Sequence, residues 1–169
     1  MTRDRAYIGL GSNLGDRLMT LRSAVRHLAG AGAIAASSAI YETRPIGPAL
    51  HPFLNAAVEL RGAFEPEALL AALLEIEALH DRRRELRWGP RTLDLDLLAI
   101  VRDGACLRWS SERLTLPHPR VGDRDFVLAP LAELAPTLRL VDGVRVRDRL
   151  DALPAAARTI FERSTQALC

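Results

Sequence analysis

The 169-residue sequence predicts an α+β fold: a ferredoxin-like βαββαβ core with additional C-terminal elements, in a single domain. Three observations carry this. Hydrophobic periods of two and of 3.6 alternate in the order strand, helix, strand, strand, helix, strand, a split βαβ arrangement. The length suits one domain with a sizeable core. Hydrophobic residues make up 49% and charged residues 26% of the chain, as in soluble globular proteins.

The first strand is read in "RAYIGLGSN", which runs into a Gly/Ser/Asn turn. "GLGSNLGDR" lacks the lysine of a P-loop and the spacing of a dinucleotide fingerprint, so it reads as a tight strand-to-helix turn. Leu14, Leu18, Leu21, Val25 and Leu28 then form the stripe of an amphipathic helix, which Gly30 and Gly32 end. "AIAASSAIYET" is the second strand and "RPIGPALHP" a proline-rich loop. "FLNAAVELR" alternates as the third strand, with Phe53, Asn55, Ala57 and Glu59 on one face. Glu65-Pro66-Glu67 starts the second helix, with proline in its first turn and acids at its positive end; its stripe is Leu69, Leu70, Leu73, Leu74 and Ile76. A cationic loop leads to the fourth strand, "TLDLDLLAIV". "LPHPRVGDRDF" reads as a loop and "VLAPLAELAP" as a short helix. The core is expected from about residue 5 to 150, followed by a peripheral tail, 151–169, that is helical or frayed.

Composition narrows the function. A formal net charge of +2 lacks the bulk basic footprint of a nucleic-acid binder, and no apolar run reaches the ~18 residues of a membrane span. Neither nucleic acid nor membrane is expected as a partner. The two cysteines, Cys106 and Cys169, have no metal-ligand spacing and read as free thiols; no secretory h-region opens the chain. A cytoplasmic location is therefore expected, and a monomer. All 23 basic side chains are arginine, so side-chain cations that bind phosphate here do so as guanidinium forks.

The chemistry concentrates in "RWGPRTLDLDLLAI", residues 87–100. Asp94 and Asp96 share one face of a strand, about 6.5–7 Å apart, while Leu93, Leu95 and Leu97 face the core. Two carboxylates at that separation repel by about 2.5 kcal/mol at an effective dielectric of ~20. Two partners can offset this: arginines of the preceding loop, or a divalent cation taking both acids as hard oxygen ligands. That loop holds Arg82, Arg83, Arg84, Arg87 and Arg91 against Glu85, a local charge of +4. Acids for a metal beside guanidinium forks for phosphate are what phosphoryl-type transfer requires. Glu77 interrupts the apolar stripe of the second helix near this loop, and an acid there needs a partner or a ligand.

At this point the chain resembles the 6-hydroxymethyl-7,8-dihydropterin pyrophosphokinase family. The resemblance rests on "GLGSNLGDR", "YETRPIG", "FLNAAVEL", "RWGPRTLDLDLL", "LTLPHPR" and "RDFVLAPLAELAP", in the family's order, across about residues 5–140. It implies transfer of the β,γ-diphosphate of the co-substrate ATP to the pterin hydroxymethyl group, with release of AMP. It implies two Mg2+ ions on Asp94 and Asp96, and transfer assisted by Arg82 and Arg91. Arg84, Arg87 and Trp88 fall in a loop that closes over ATP. Arg113, Thr115, His118 and Arg124 match nucleotide-side positions, to which Glu77 is added. The pterin would lie between Phe53 and Phe126, with Asn55 reading its edge and Thr43, Pro45, Ile46 and Gly47 lining the ring. The chain departs from the family at His80-Asp81, where Leu-Gly is frequent, at Phe53, where Tyr is frequent, and at Arg44 within "TRPIG", where other residues are common. A ferredoxin-like RNA binder leaves the acids unexplained; a two-metal nuclease or nucleotidyltransferase uses the same acids and differs in its products.

Overall fold

The computed structural model of the chain describes residues 4–45, 51–80 and 92–169. Its elements in order are β1 (Asp4–Ser12), α1 (Arg17–Leu28), β2 (Ala33–Ser37), β3 (Tyr41–Thr43), β4 (Phe53–Gly62), α2 (Pro66–Leu79), β5 (Asp94–Arg102), β6 (Ala105–Cys106), β7 (Trp109–Ser110), β8 (Thr115–Leu116), α3 (Asp125–Leu134), α4 (Val146–Asp151) and β9 (Ile160–Arg163). Among the described residues the main sheet runs β6-β5-β1-β4-β3-β9, with β2 also paired to β4, and β7 and β8 form a separate hairpin. Every pairing in the main sheet is antiparallel. The expected βαββαβ core is present in the order β5-β1-β4 followed by β2 and β3.

Local chemistry accounts for the helices. Asp16 caps α1, its Oδ1 accepting the Met19 N–H at 3.1 Å, after a turn in which Gly15 takes φ 66°. Leu21, Val25 and Leu28 are buried as expected, whereas Leu14 precedes the helix and is exposed. Pro66 opens α2, which buries Leu69, Leu73, Ile76 and Glu77.

Both faces of the sheet are covered. On one, Ile8, Leu10, Val58, Leu60, Leu93, Leu95 and Leu97 pack against α1 and α2. On the other, Tyr7, Leu98, Ala99 and Val101 pack against Leu128 and Leu131 of α3 and Val146 of α4. The switch within β5 is a bulge: Ile8 pairs with Leu97 and Tyr7 with Ala99, so Leu98 is the extra residue.

The expected elements differ in four places. "AIAASSAIYET" is two strands, because Ser38 leaves the ladder: its hydroxyl accepts the Ala57 N–H at 2.9 Å. "LPHPRVGDRDF" contains part of β8, a cis Leu116–Pro117 bond and a 3-10 turn at Val121–Asp123. The helix expected from Val127 begins at Asp125. Within the expected tail, β9 pairs with β3 and Leu168 enters the core, so this segment completes one edge of the sheet. No helix among the described residues is long and apolar enough to cross a membrane.

Candidate active site

The acid-bearing half of β5 faces a pocket on the α3 side of the sheet. Its lining joins Asp94 and Asp96 of β5, Phe53 and Asn55 of β4, Thr43 and Arg44 at the end of β3, and Arg124 and Phe126 at the start of α3.

The floor is made of glycine. In β1, Gly11 pairs with Asp94 and Gly9 with Asp96. On the other side of β1, Gly11 pairs with Asn55 and Gly9 with Ala57. A Cβ at Gly11 would come within 3.1 Å of Asn55 Oδ1, and one at Gly9 within 3.5 Å of the Leu98 side chain. Two missing side chains thus let a flat ligand approach the sheet between the amide and the carboxylates. Asn55 is buried, and its Nδ2 donates to Thr43 Oγ1 at 2.8 Å. That bond leaves Oδ1, above Gly11, as an acceptor for a ligand edge.

Charge is shared across the opening. Arg124 lies over the Phe126 ring, 5.5 Å from its centroid. Burial first, and then Arg120, push its pKa down, while Asp96 opposes them. It stays a cation throughout the ordinary pH range. His118 is lowered by burial, then by Arg124 and Arg120, against an upward pull from Asp94. Its Nδ1 accepts the Arg120 backbone N–H at 3.2 Å, and its backbone N–H donates to Leu98 O at 2.8 Å. A pKa depressed in the fold gives a stability contribution that is full above the unfolded value of 6.5 and lost as pH falls through the folded one. The melting temperature is expected to drop from pH 7 to pH 5, and to drop less in His118→Gln; equal slopes in thermal scans would refute this.

Asp94 and Asp96 are the donors that could hold a metal. Among the described residues no group of three or more His, Cys, Asp or Glu gathers to enclose one. Two hard oxygen ligands at a half-exposed position suit a cation that takes its remaining ligands from water and substrate phosphate.

The family model described as 7,8-dihydro-6-hydroxymethylpterin-pyrophosphokinase (HPPK) matches residues 7–136. A 2-amino-4-hydroxy-6-hydroxymethyldihydropteridine pyrophosphokinase of Methylorubrum extorquens is 49% identical over 152 residues, covering 88% of this chain and 93% of that protein. The chain belongs to this pyrophosphokinase family. The Bacillus subtilis protein of the same name is 48% identical over 132 residues, covering 76% of this chain and 77% of that protein. In fold, the chain is similar to the HPPK-DHPS of Plasmodium falciparum solved with pterin and p-hydroxybenzoate, at a TM-score of 0.66 and 14% identity. That match covers 88% of this chain and 43% of the solved one, so the chain spans under half the length of that relative.

For a pyrophosphokinase, the structure brings together seven of the twelve described residues singled out in the sequence. Thr43, Phe53, Asn55, Asp94, Asp96, Arg124 and Phe126 line one pocket. Pro45 follows Arg44 at its rim, and His118 is held beside it by Leu98 O. Arg113 and Thr115 lie instead on the exposed β7–β8 hairpin and do not line the pocket. Ile46, Gly47, Arg82, Arg84, Arg87, Trp88 and Arg91 fall outside the described residues.

Glu77 is buried, and its Oε1 accepts the Leu95 N–H at 2.8 Å. The bond joins α2 to β5 midway between the two aspartates, on the strand edge that β6 leaves unpaired beyond Val101. Glu77→Ala is expected to destabilise the fold by about 1–3 kcal/mol, the cost of orphaning a buried donor. Glu77→Gln should lose less in a denaturant titration.

Sequence reasoning missed Gly9 and Gly11. Glycine at alternate positions of a strand was the available signal.

Proposed function

We propose that this pyrophosphokinase-family chain transfers the β,γ-diphosphate of ATP to the hydroxymethyl group of 6-hydroxymethyl-7,8-dihydropterin. The products are AMP and the dihydropterin diphosphate, and the reaction depends on Mg2+. The observation that carries the reading is the single pocket in which an aromatic-and-amide half meets a two-carboxylate half.

Each half has its task. Phe53 and Phe126 offer ring faces to a planar heterocycle. Asn55, fixed by Thr43, presents its Oδ1 to the N–H groups of the pterin edge. The glycine floor sets how deep the ring sits, and thereby where the hydroxymethyl arm emerges relative to Asp94 and Asp96. Those two acids would hold two Mg2+ ions, which when bound neutralise phosphate charge and orient the attacking and leaving oxygens. Arg124, His118 and the hairpin residues Arg113 and Thr115 are proposed on the nucleotide side, with Glu77 supporting the strand that carries the acids. Arg82, Arg84, Arg87, Trp88 and Arg91 are proposed to close over and neutralise the triphosphate. The free thiols Cys106 and Cys169 suit a reducing cytoplasm, and a monomer is proposed, which sedimentation would check.

The test is product analysis. Purified protein with ATP and Mg2+ is expected to release AMP only when the hydroxymethyl dihydropterin is present. Release of ADP, or of AMP without the pterin, would sink the proposal and favour a nuclease or nucleotidyltransferase.

A further inference from the structure

The pocket has two walls with no direct covalent link between them: the end of β3, carrying Thr43 and Arg44, and the start of α3, carrying Arg124 and Phe126. Between Arg124 and Phe126 stands Asp125, which does not line the pocket and is 2% exposed. Its carboxylate is directed to the C-terminal strand. Oδ2 accepts the N–H groups of Thr159 at 2.6 Å and Ile160 at 2.8 Å, and Oδ1 accepts the Thr159 hydroxyl at 2.6 Å. Thr159 in turn accepts the Arg44 N–H on its carbonyl at 3.0 Å, and Ile160 pairs with Thr43. One residue of the C-terminal segment is thus bonded to both walls.

We infer that Asp125 is a positioning residue for the pterin subsite: through Thr159 it sets the spacing between the Phe126 wall and the Thr43 wall. The inference rests on the pterin reading of the pocket. Three charge-assisted bonds satisfy a buried carboxylate and fix the first turn of α3, from which Phe126 projects. Without them, α3 keeps its apolar packing through Leu128 and Leu131, but its first turn loses its reference to β3. The far end of α3 has its own tie, Glu133 to the Ala39 N–H at 3.0 Å and to Tyr41, so the helix would pivot at its start.

The test separates bond geometry from charge and from bulk stability. Asp125→Ala is expected to raise the KM for the hydroxymethyl dihydropterin roughly ten-fold, the scale at which small misplacements act on a bound ring. Asp125→Asn should restore it to within about two-fold, because one amide oxygen can take both backbone N–H groups while the amide nitrogen donates to the Thr159 hydroxyl. Thr159→Val should fall between, and the double variant Asp125→Ala/Thr159→Val should be no worse than Asp125→Ala, since both remove one network. A folded Asp125→Ala protein with a wild-type pterin KM overturns the inference, as does an asparagine variant as impaired as the alanine one. If Asp125→Ala does not fold, Thr159→Val decides, and an unchanged KM there overturns it. Wild-type protein that releases no AMP with the dihydropterin would instead remove the pterin reading and this inference with it.

Discussion

Replacing Asp94 or Asp96 by alanine is expected to lower AMP formation by about 10³-fold or more, roughly 4 kcal/mol of transition-state stabilisation. Both acids project from β5 into the pocket, and each would supply a charged oxygen that water replaces poorly. The fold should survive. Both positions are half-exposed, the leucines on the opposite face keep their packing, and deleting one acid relieves its repulsion of the other. Circular dichroism and a melting temperature within a few degrees of wild type in metal-free buffer would confirm that the variants are folded. Calorimetry with Mg2+ and a non-hydrolysable ATP analogue should then show weakened ion uptake. Wild-type turnover in either folded variant would refute the metal role.

Gly11→Val is expected to weaken pterin binding by roughly two orders of magnitude while leaving ATP binding near normal. Its Cβ alone comes 3.1 Å from Asn55 Oδ1, so the amide must shift by a few tenths of an ångström. The two γ carbons occupy the space above the floor, where the ring would lie. Alanine should show a smaller loss, since only the amide has to move. Valine suits a β-strand in itself, so stability is not expected to fall in proportion. Competition with the pterin, followed by its fluorescence, measures the effect, and unchanged affinity in the valine variant would mean that the ring does not rest on β1.

Local patterns made much of this site legible in the sequence. The alternation of β5 announced that Asp94 and Asp96 share a face opposite Leu93, Leu95 and Leu97, and the structure places the leucines in the core. The Phe53-x-Asn55 alternation likewise announced a mixed aromatic and polar surface, and both residues line the pocket. What stayed hidden was non-local or silent. Glycine carries no hydrophobic signal, so Gly9 and Gly11 read as part of a turn although they continue β1. The pairing of β9 with β3 joins residues more than a hundred positions apart, and four residues with little apolar periodicity do not reveal it. Asp125 looked like one more acid in a loop because its partners, Thr159 and Ile160, lie over thirty residues on.

The bulge at Leu98 gives β5 a different parity at its two ends. Counting in twos from Asp94 arrives at Leu98, on the pocket side, but the same count continued arrives at Ile100, which is under α1 and α2. One supernumerary residue therefore uncouples the face that carries the acids from the face that the C-terminal half must bury. Pairing the same nine residues of β5 with β1 without the bulge would force a choice between two errors. Either Asp94 and Asp96 turn under the helices, where unpaired charge is costly, or Ile100 and Val101 exchange sides. For anyone grafting this pocket onto another scaffold, residue count along β5 is as much a design variable as residue identity.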